Sequence, residues 1–180
     1  MKKIISLFKR DYEKTKKVFN EVTPGAGWVI EGEGKATRKW DGTCCLVKDG
    51  ELYKRYELRK GKEYPFGFIP AQDPDPVTGE CPGWVKVDPN NPENKWHLEA
   101  WKRDQVKTPD GTYELCGPKV NGNNDNLLFH VLIPHGRDTL RDVPTDFDGL
   151  RTYLNLAPII EGIVWHHPDG RMVKIKKKDF

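Results

Sequence analysis

An α+β fold dominated by antiparallel strands is the class this sequence predicts, and three observations point to it. Short runs rich in β-branched and aromatic residues are separated by glycine, Asp-Gly and Pro-Asp-Gly signals, the pattern of strands joined by tight turns. One later stretch combines helical spacing with a capping residue: Thr145 or Asp146 precedes Phe147, Leu150, Tyr153 and Leu154, which share one face of a helix. No internal repeat or low-complexity tract interrupts the alternation. A chain of 180 residues holds one good core, so a single domain over 1–180, with one insertion, is expected.

From the N-terminus, Ile4, Ile5, Phe8 and Tyr12 recur at helical spacing in a lysine-rich background and predict a short amphipathic helix or a docked arm. Pro24-Gly25-Ala26-Gly27 breaks that pattern, and Trp28-Val29-Ile30 reads as a strand. Residues 36–40 and 43–48 read as strands flanking Asp41-Gly42, and Asp49-Gly50 leads into a strand over 51–58, an antiparallel meander. Adjacent Cys44 and Cys45 face opposite sides of their strand, so one of them is core. Eight of the fourteen prolines then fall between Pro65 and Pro109, with Trp84, Trp96 and Trp101; this predicts an ordered, loop-rich insertion at about 65–109, its aromatics packed onto the domain. Within it, 94–103 holds a helical turn or a strand. A strand over 111–117, a polar loop at 121–126, a buried strand over 127–133 and the capped helix follow. Residues 159–165 form a strand with Glu161 set in an apolar run, and Pro168-Asp169-Gly170 returns the chain as 172–176.

Charged residues at 32% against 36% hydrophobic describe a polar but foldable chain, and a net charge of +3 does not by itself announce a nucleic-acid binder. The basic residues are uneven: seven lie between Lys2 and Lys17 and five between Arg171 and Lys178, either as solvated faces or as phosphate contacts. Cys44, Cys45, Cys81 and Cys116 show no C-x-x-C spacing and no paired histidines, which argues against structural zinc and for reduced thiols. The basic N-terminus lacks an apolar signal core and no stretch approaches a membrane span, so a cytoplasmic, soluble monomer without a membrane partner is expected.

The chemistry concentrates at Lys39-Trp40-Asp41-Gly42. A lysine attacks only as a neutral amine, and a pocket of other cations disfavours its charged form. Asp41 could orient a ribose or the amine, and Gly42 lets the backbone turn where a nucleotide approaches; the bland alternative is a hairpin turn. Further along stand Lys54-Arg55-Tyr56-Glu57, Tyr113-Glu114-Leu115-Cys116-Gly117, Glu161-Gly162-Ile163-Val164 and Lys174-Ile175-Lys176. In this order the five stretches resemble motifs I, Ia, III, IV and V of ATP-dependent polynucleotide ligases in the covalent nucleotidyltransferase superfamily.

That resemblance covers most of the chain. It implies a nucleotidyltransferase fold, the ATP-grasp-like adenylation domain, with antiparallel sheets flanking a nucleotide cleft. It also implies that Lys39 becomes linked to AMP, that Arg55 or else Arg59 grips the terminal phosphate, that Glu114 binds the ribose, that Glu161 helps to hold Mg²⁺ (or Mn²⁺), and that Lys174 and Lys176 reach the α-phosphate. Phe129 is the candidate for stacking on adenine, with a core position as the alternative, and Arg38, Arg171, Lys177 and Lys178 are candidates for RNA phosphates. Glu114-Leu115-Cys116-Gly117-Pro118 and the lysine-rich close of the chain are similar to RNA ligases that seal 5′-phosphate to 3′-hydroxyl ends. A DNA nick-sealing ligase, a GTP-dependent capping guanylyltransferase and a degenerate RNA-binding module are the alternatives. The chain stops just after the fifth motif, leaving no room for an OB-fold domain, and the lysine-rich N-terminus is the expected substitute for its pyrophosphate-orienting motif.

Overall fold

The computed structural model describes residues 1–104, 108–157 and 159–180; positions 105–107 of the expected insertion lie outside the described residues. The chain begins with β1 (Ile5–Ser6), β2 (Phe8–Arg10) and β3 (Val18–Val22), then a one-turn helix α1 (Gly27–Ile30) and β4 (Lys35–Lys39). Next come β5 (Thr43–Lys48), β6 (Glu51–Leu58), β7 (Ile69–Pro70), β8 (Cys81–Lys86), helix α2 (Lys95–Asp104), β9 (Gly111–Cys116) and β10 (Val131–Pro134). Helix α3 (Phe147–Leu156), β11 (Gly162–His166) and β12 (Met172–Lys176) complete the order. The class is α+β with mainly antiparallel pairing, and the chain divides into two compact units. Among the described residues no helix is long and apolar enough to cross a membrane.

One unit comprises Met1–Lys3 and Asp41–His135. Its six strands pair antiparallel in the order β10-β9-β5-β6-β8-β7. Asp49 and Gly50, with φ of 53° and 73°, make the two-residue turn that sets Lys48 opposite Glu51. Cys45, Val47, Tyr113, Leu115 and Leu132 bury one face of this sheet against Ala100 and Trp96 of α2. Within the 65–109 stretch β8 pairs with β6 over Cys81–Lys86 and β7 pairs with β8, so these two strands extend the sheet, and Trp84, only 2% exposed, packs onto the unit.

The other unit comprises Ile4–Trp40 and Gly136–Phe180. Its four-stranded sheet runs β1-β12-β11-β4, with β1 parallel to β12 and the other pairs antiparallel; β2 and β3 form a separate hairpin. Ile163, Trp165, Val173 and Ile175 bury one face of the sheet with Leu150 and Leu154 of α3. Asp146 caps α3 by accepting from the Gly149 N–H, as the sequence anticipates.

Several expectations need correcting. Of the two readings of residues 4–12 the docked arm holds and the helix does not: β1 pairs with β12, and the Leu7 N–H donates to the Lys174 carbonyl, so sheet pairing overrides the helical spacing. Trp28-Val29-Ile30 lies in α1 and not in a strand, because the Val29 and Glu31 N–H groups are taken by the carbonyls of Ala26 and Gly27. Strands β4 and β5 do not pair, so Asp41-Gly42 is no hairpin turn; it carries the chain from one sheet to the other. The 127–133 strand begins only at Val131, and Glu161 precedes β11 instead of sitting within it.

Gly162 shows how tightly the second sheet is set. It lies opposite both Lys39 and Lys176, and a Cβ there would collide with the Ile175 carbonyl oxygen and stand 2.8 Å from Lys176 Cα. Backbone cannot yield as a flexible side chain would. Gly162→Ala is therefore expected to cost about 1–3 kcal/mol, read in urea unfolding as a lower midpoint at unchanged m-value.

Candidate active site

Alternation along the strands decides which charges meet. On β12 Val173 and Ile175 are fully buried in the core, so Lys174 and Lys176 point to the other face. The register then places Lys39, Gly162 and Lys176 in one row and Thr37, Val164 and Lys174 in the next. Lys39 therefore shares the face of the two β12 lysines. Glu161, one residue before β11, brings its carboxylate between them: Oε2 lies 2.5 Å from Lys39 Nζ and Oε1 2.8 Å from Lys176 Nζ. The three side chains are 18%, 11% and 21% exposed in the order Lys39, Glu161, Lys176, so water screens this triple weakly.

Lys174 lies beside the triple. Burial first, then the charges of Lys176 and Lys39, push its pKa down from 10.5 to about 8, against smaller opposing effects of Asp179 and Glu161. The expected crowding of cations is thus present, and the lysine it visibly depresses is Lys174. Lys39 Nζ donates to the Glu161 carboxylate. The Lys39 ammonium also approaches the Trp40 carbonyl at 3.4 Å. A face of three amines around one carboxylate can bind phosphate oxygens, and it holds one amine close to neutrality at mild alkaline pH.

The remaining nucleotide-site candidates lie on the other unit. Glu114, in β9, is 9% exposed and its Oε2 is 2.8 Å from His135 Nε2. Arg55, in β6, donates from Nη1 to the Met1 carbonyl (2.7 Å) and from Nε to Glu57 (2.9 Å), with its guanidinium 5.2 Å from the Trp84 ring. Arg59 lies just beyond β6 and is exposed. Phe129 is neither in a strand nor in the core: it is 53% exposed, with the Arg103 guanidinium 4.2 Å from its ring centre. Asp41 is gripped by the polar loop, accepting from Asn121 Nδ2 (3.1 Å) and Asn124 Nδ2 (2.7 Å). Asn121 also donates to the Gly42 carbonyl at 2.8 Å. Gly42 itself is required by β9, since a Cβ would strike the Leu115 carbonyl oxygen and come within 2.8 Å of Glu114 Cγ.

The RNA candidates are dispersed. Arg38 is next to Lys39 in β4 and therefore on the opposite face; its guanidinium stacks 3.7 Å above the Trp40 ring and donates to the Ile159 carbonyl. Arg171 is paired with Asp169, and Lys177 and Lys178 sit in a 3-10 turn after β12. Sequence reasoning missed Asn121, Asn124 and His135. The signal for the asparagines was their type: Asn121, Asn123 and Asn126 all take positive φ, and with Gly122 they coil the loop tightly enough to turn amides back onto Asp41.

Residues 103–180 match the sequence family described as RNA ligase 1, a stretch that holds Glu114, Glu161, Lys174 and Lys176 but not Lys39. The chain is also similar to RNA ligase 1 of Danio rerio, at 29% identity with 94% of this chain and 74% of the relative covered. RNA ligase 1 of Rattus norvegicus is 28% identical, covering 79% and 66%. That of Pongo abelii is 27% identical, covering 78% and 65%. The matched region thus spans about two thirds of the length of the two mammalian relatives. These similarities support the resemblance to RNA ligases of the nucleotidyltransferase type carried by the motif order.

A lysine whose folded pKa is depressed binds fewer protons folded than unfolded between about 8 and 10.5, so stability rises with pH across that window, and below it the full cost of the buried charge is present. Lys174→Met removes that cost. The variant is expected to melt roughly 2–8 °C higher at pH 7, the gain shrinking as pH is raised from 8 toward 10.5, as differential scanning calorimetry across pH would show.

Proposed function

We propose that this chain is an ATP-dependent RNA ligase that joins 5′-phosphate to 3′-hydroxyl ends through a lysyl-AMP intermediate on Lys39. The observation that supports this most strongly is the triple Lys39, Glu161 and Lys176 with Lys174 beside it, because it brings three of the five ordered motifs onto one face. Neutral Lys39 Nζ attacks the α-phosphorus of ATP; the N–P bond forms as the bond to pyrophosphate breaks. Lys174 and Lys176 hold the charge of the α-phosphate, and catalysis is chiefly positioning and charge neutralisation.

Glu161 is the carboxylate that would hold Mg²⁺ (or Mn²⁺), and a single carboxylate on a phosphate-binding face fits a cation that completes its shell with phosphate and water oxygens; bound there, the ion would supply further charge neutralisation. A carboxylate so engaged would no longer be free to pair with the Lys39 ammonium. Repulsion from Lys174 and Lys176 then favours the neutral nucleophile. Glu114 and Arg55 keep the roles that the motif order gives them, ribose and terminal phosphate. In the second step AMP passes to the 5′-phosphate of RNA, and in the third the 3′-hydroxyl displaces it. Arg38, Arg171, Lys177 and Lys178 contact RNA phosphates, so binding weakens as salt rises.

Incubation with α-labelled ATP or GTP followed by a denaturing gel tests the reading. Label from ATP on the wild-type protein, and none on Lys39→Ala, is the expected result. Label from GTP would point to a capping enzyme, and none from either to a binding module; label retained by Lys39→Ala would show that the nucleophile lies elsewhere. Sealing of RNA but not DNA ends by the labelled protein is expected in a parallel assay.

A further inference from the structure

The sheet of the Asp41–His135 unit carries a second chemical group, on its face away from α2. Cys44 on β5 and Glu114 on β9 are direct cross-strand partners, so their side chains stand together on that face. Cys45 points the other way into the core. Glu114 is in turn opposite Ile133 on β10, and His135 follows two residues on, which returns its imidazole to the same face. One ligand atom each from Cys44, Glu114 and His135 then lies within 4.8 Å of the others, and among the described residues no further such group of three occurs.

We propose that Cys44, Glu114 and His135 form a site for a zinc-class divalent cation, with an exchangeable fourth position. A thiolate, an imidazole and a carboxylate are a ligand set that zinc accepts and that magnesium, a hard cation, does not. Tetrahedral zinc needs its donors about 3.3–3.8 Å apart, so side-chain adjustments alone close the group from its present spread. All three come from adjacent strands or the residue after one, so the backbone already holds them in register. His135 Nε2 already lies 2.8 Å from Glu114 Oε2, and its buried Nδ1 has no hydrogen-bond partner among the described residues. As the sulfur–metal bond forms, the Cys44 thiol gives its proton to solvent, and binding strengthens with rising pH. Cys116, on the same strand as Glu114, is buried beneath Gly42 and stands outside the group. Linear spacing hides this site because its ligands are 70 and 21 positions apart in the chain.

The cation would also occupy Glu114, so on the reading of that residue as the ribose ligand it would compete with nucleotide. The site itself stands without that reading. Titration with Co²⁺ as the probe tests it, because a thiolate ligand gives a sulfur-to-cobalt charge-transfer band and tetrahedral coordination an intense visible one. Both bands are expected on the wild-type protein and on Cys81→Ser. They should be lost in Cys44→Ser and shifted in His135→Gln, with affinity lowered about tenfold or more in the latter. Stoichiometric Zn²⁺ should displace the cobalt and excess Mg²⁺ should not. Absence of a charge-transfer band, or a band unchanged in Cys44→Ser, overturns the proposal; if Cys44→Ser fails to fold by circular dichroism, an unchanged spectrum in His135→Gln overturns it equally. Zn²⁺ inhibition of ATP labelling in the wild type would add the competition, whereas a cobalt site without inhibition would leave the metal site standing and remove Glu114 from ribose binding.

Discussion

A single carboxylate holds the charged face of the second sheet together. Lys39 on β4 and Lys176 on β12 face the same way because each pairs with Gly162, and two ammonium groups flanking a central strand repel. Glu161 lies in contact with both and converts that repulsion into a paired arrangement. Its placement depends in turn on Gly162, whose missing side chain lets β11 run close to β12. Removing the shared carboxylate would take from both lysines the weakly exposed acid they pair with, whereas removing either lysine leaves Glu161 in contact with the other.

Lys174 extends the same logic. Burial beside two other lysines drives its pKa to about 8, against smaller opposing effects of Asp179 and Glu161. A stable fold gains nothing from such a residue. It sits in an otherwise well-packed strand, between fully buried Val173 and Ile175, at a local cost in stability.

The Lys39–Gly42 stretch is constrained at both ends by different means. At Lys39 the constraint is electrostatic and comes from the strands beside it. At Asp41 and Gly42 it is steric and hydrogen-bonded: β9 leaves no room for a Cβ, and the asparagine loop fixes the aspartate. The Lys-x-Asp-Gly pattern therefore has a structural reason for its aspartate and its glycine beyond any contact with nucleotide, and the Glu114, His135 and Cys44 group lies on the sheet against which that glycine packs.

By itself the sequence determined the elements whose causes are local. The capped α3, the Asp49-Gly50 turn, strands β5, β6, β9 and β12, and the shared direction of Lys174 and Lys176 all follow from period-two alternation, turn residues and a cap. Tertiary structure alone decided what depends on partners distant in the chain. Ile5–Ser6 became a strand on the edge of β12 and Phe8–Arg10 a strand against β3, Trp28 and Val29 became a helical turn although their types favour strands, and Asp41-Gly42 became a crossing because β4 found β11 and not β5. Likewise the contact of Lys39 with Glu161, 122 positions later, and the meeting of Cys44, Glu114 and His135 are matters of strand order. Spacing along a chain records which face a residue takes, whereas which strand lies beside it is set only when the sheets assemble.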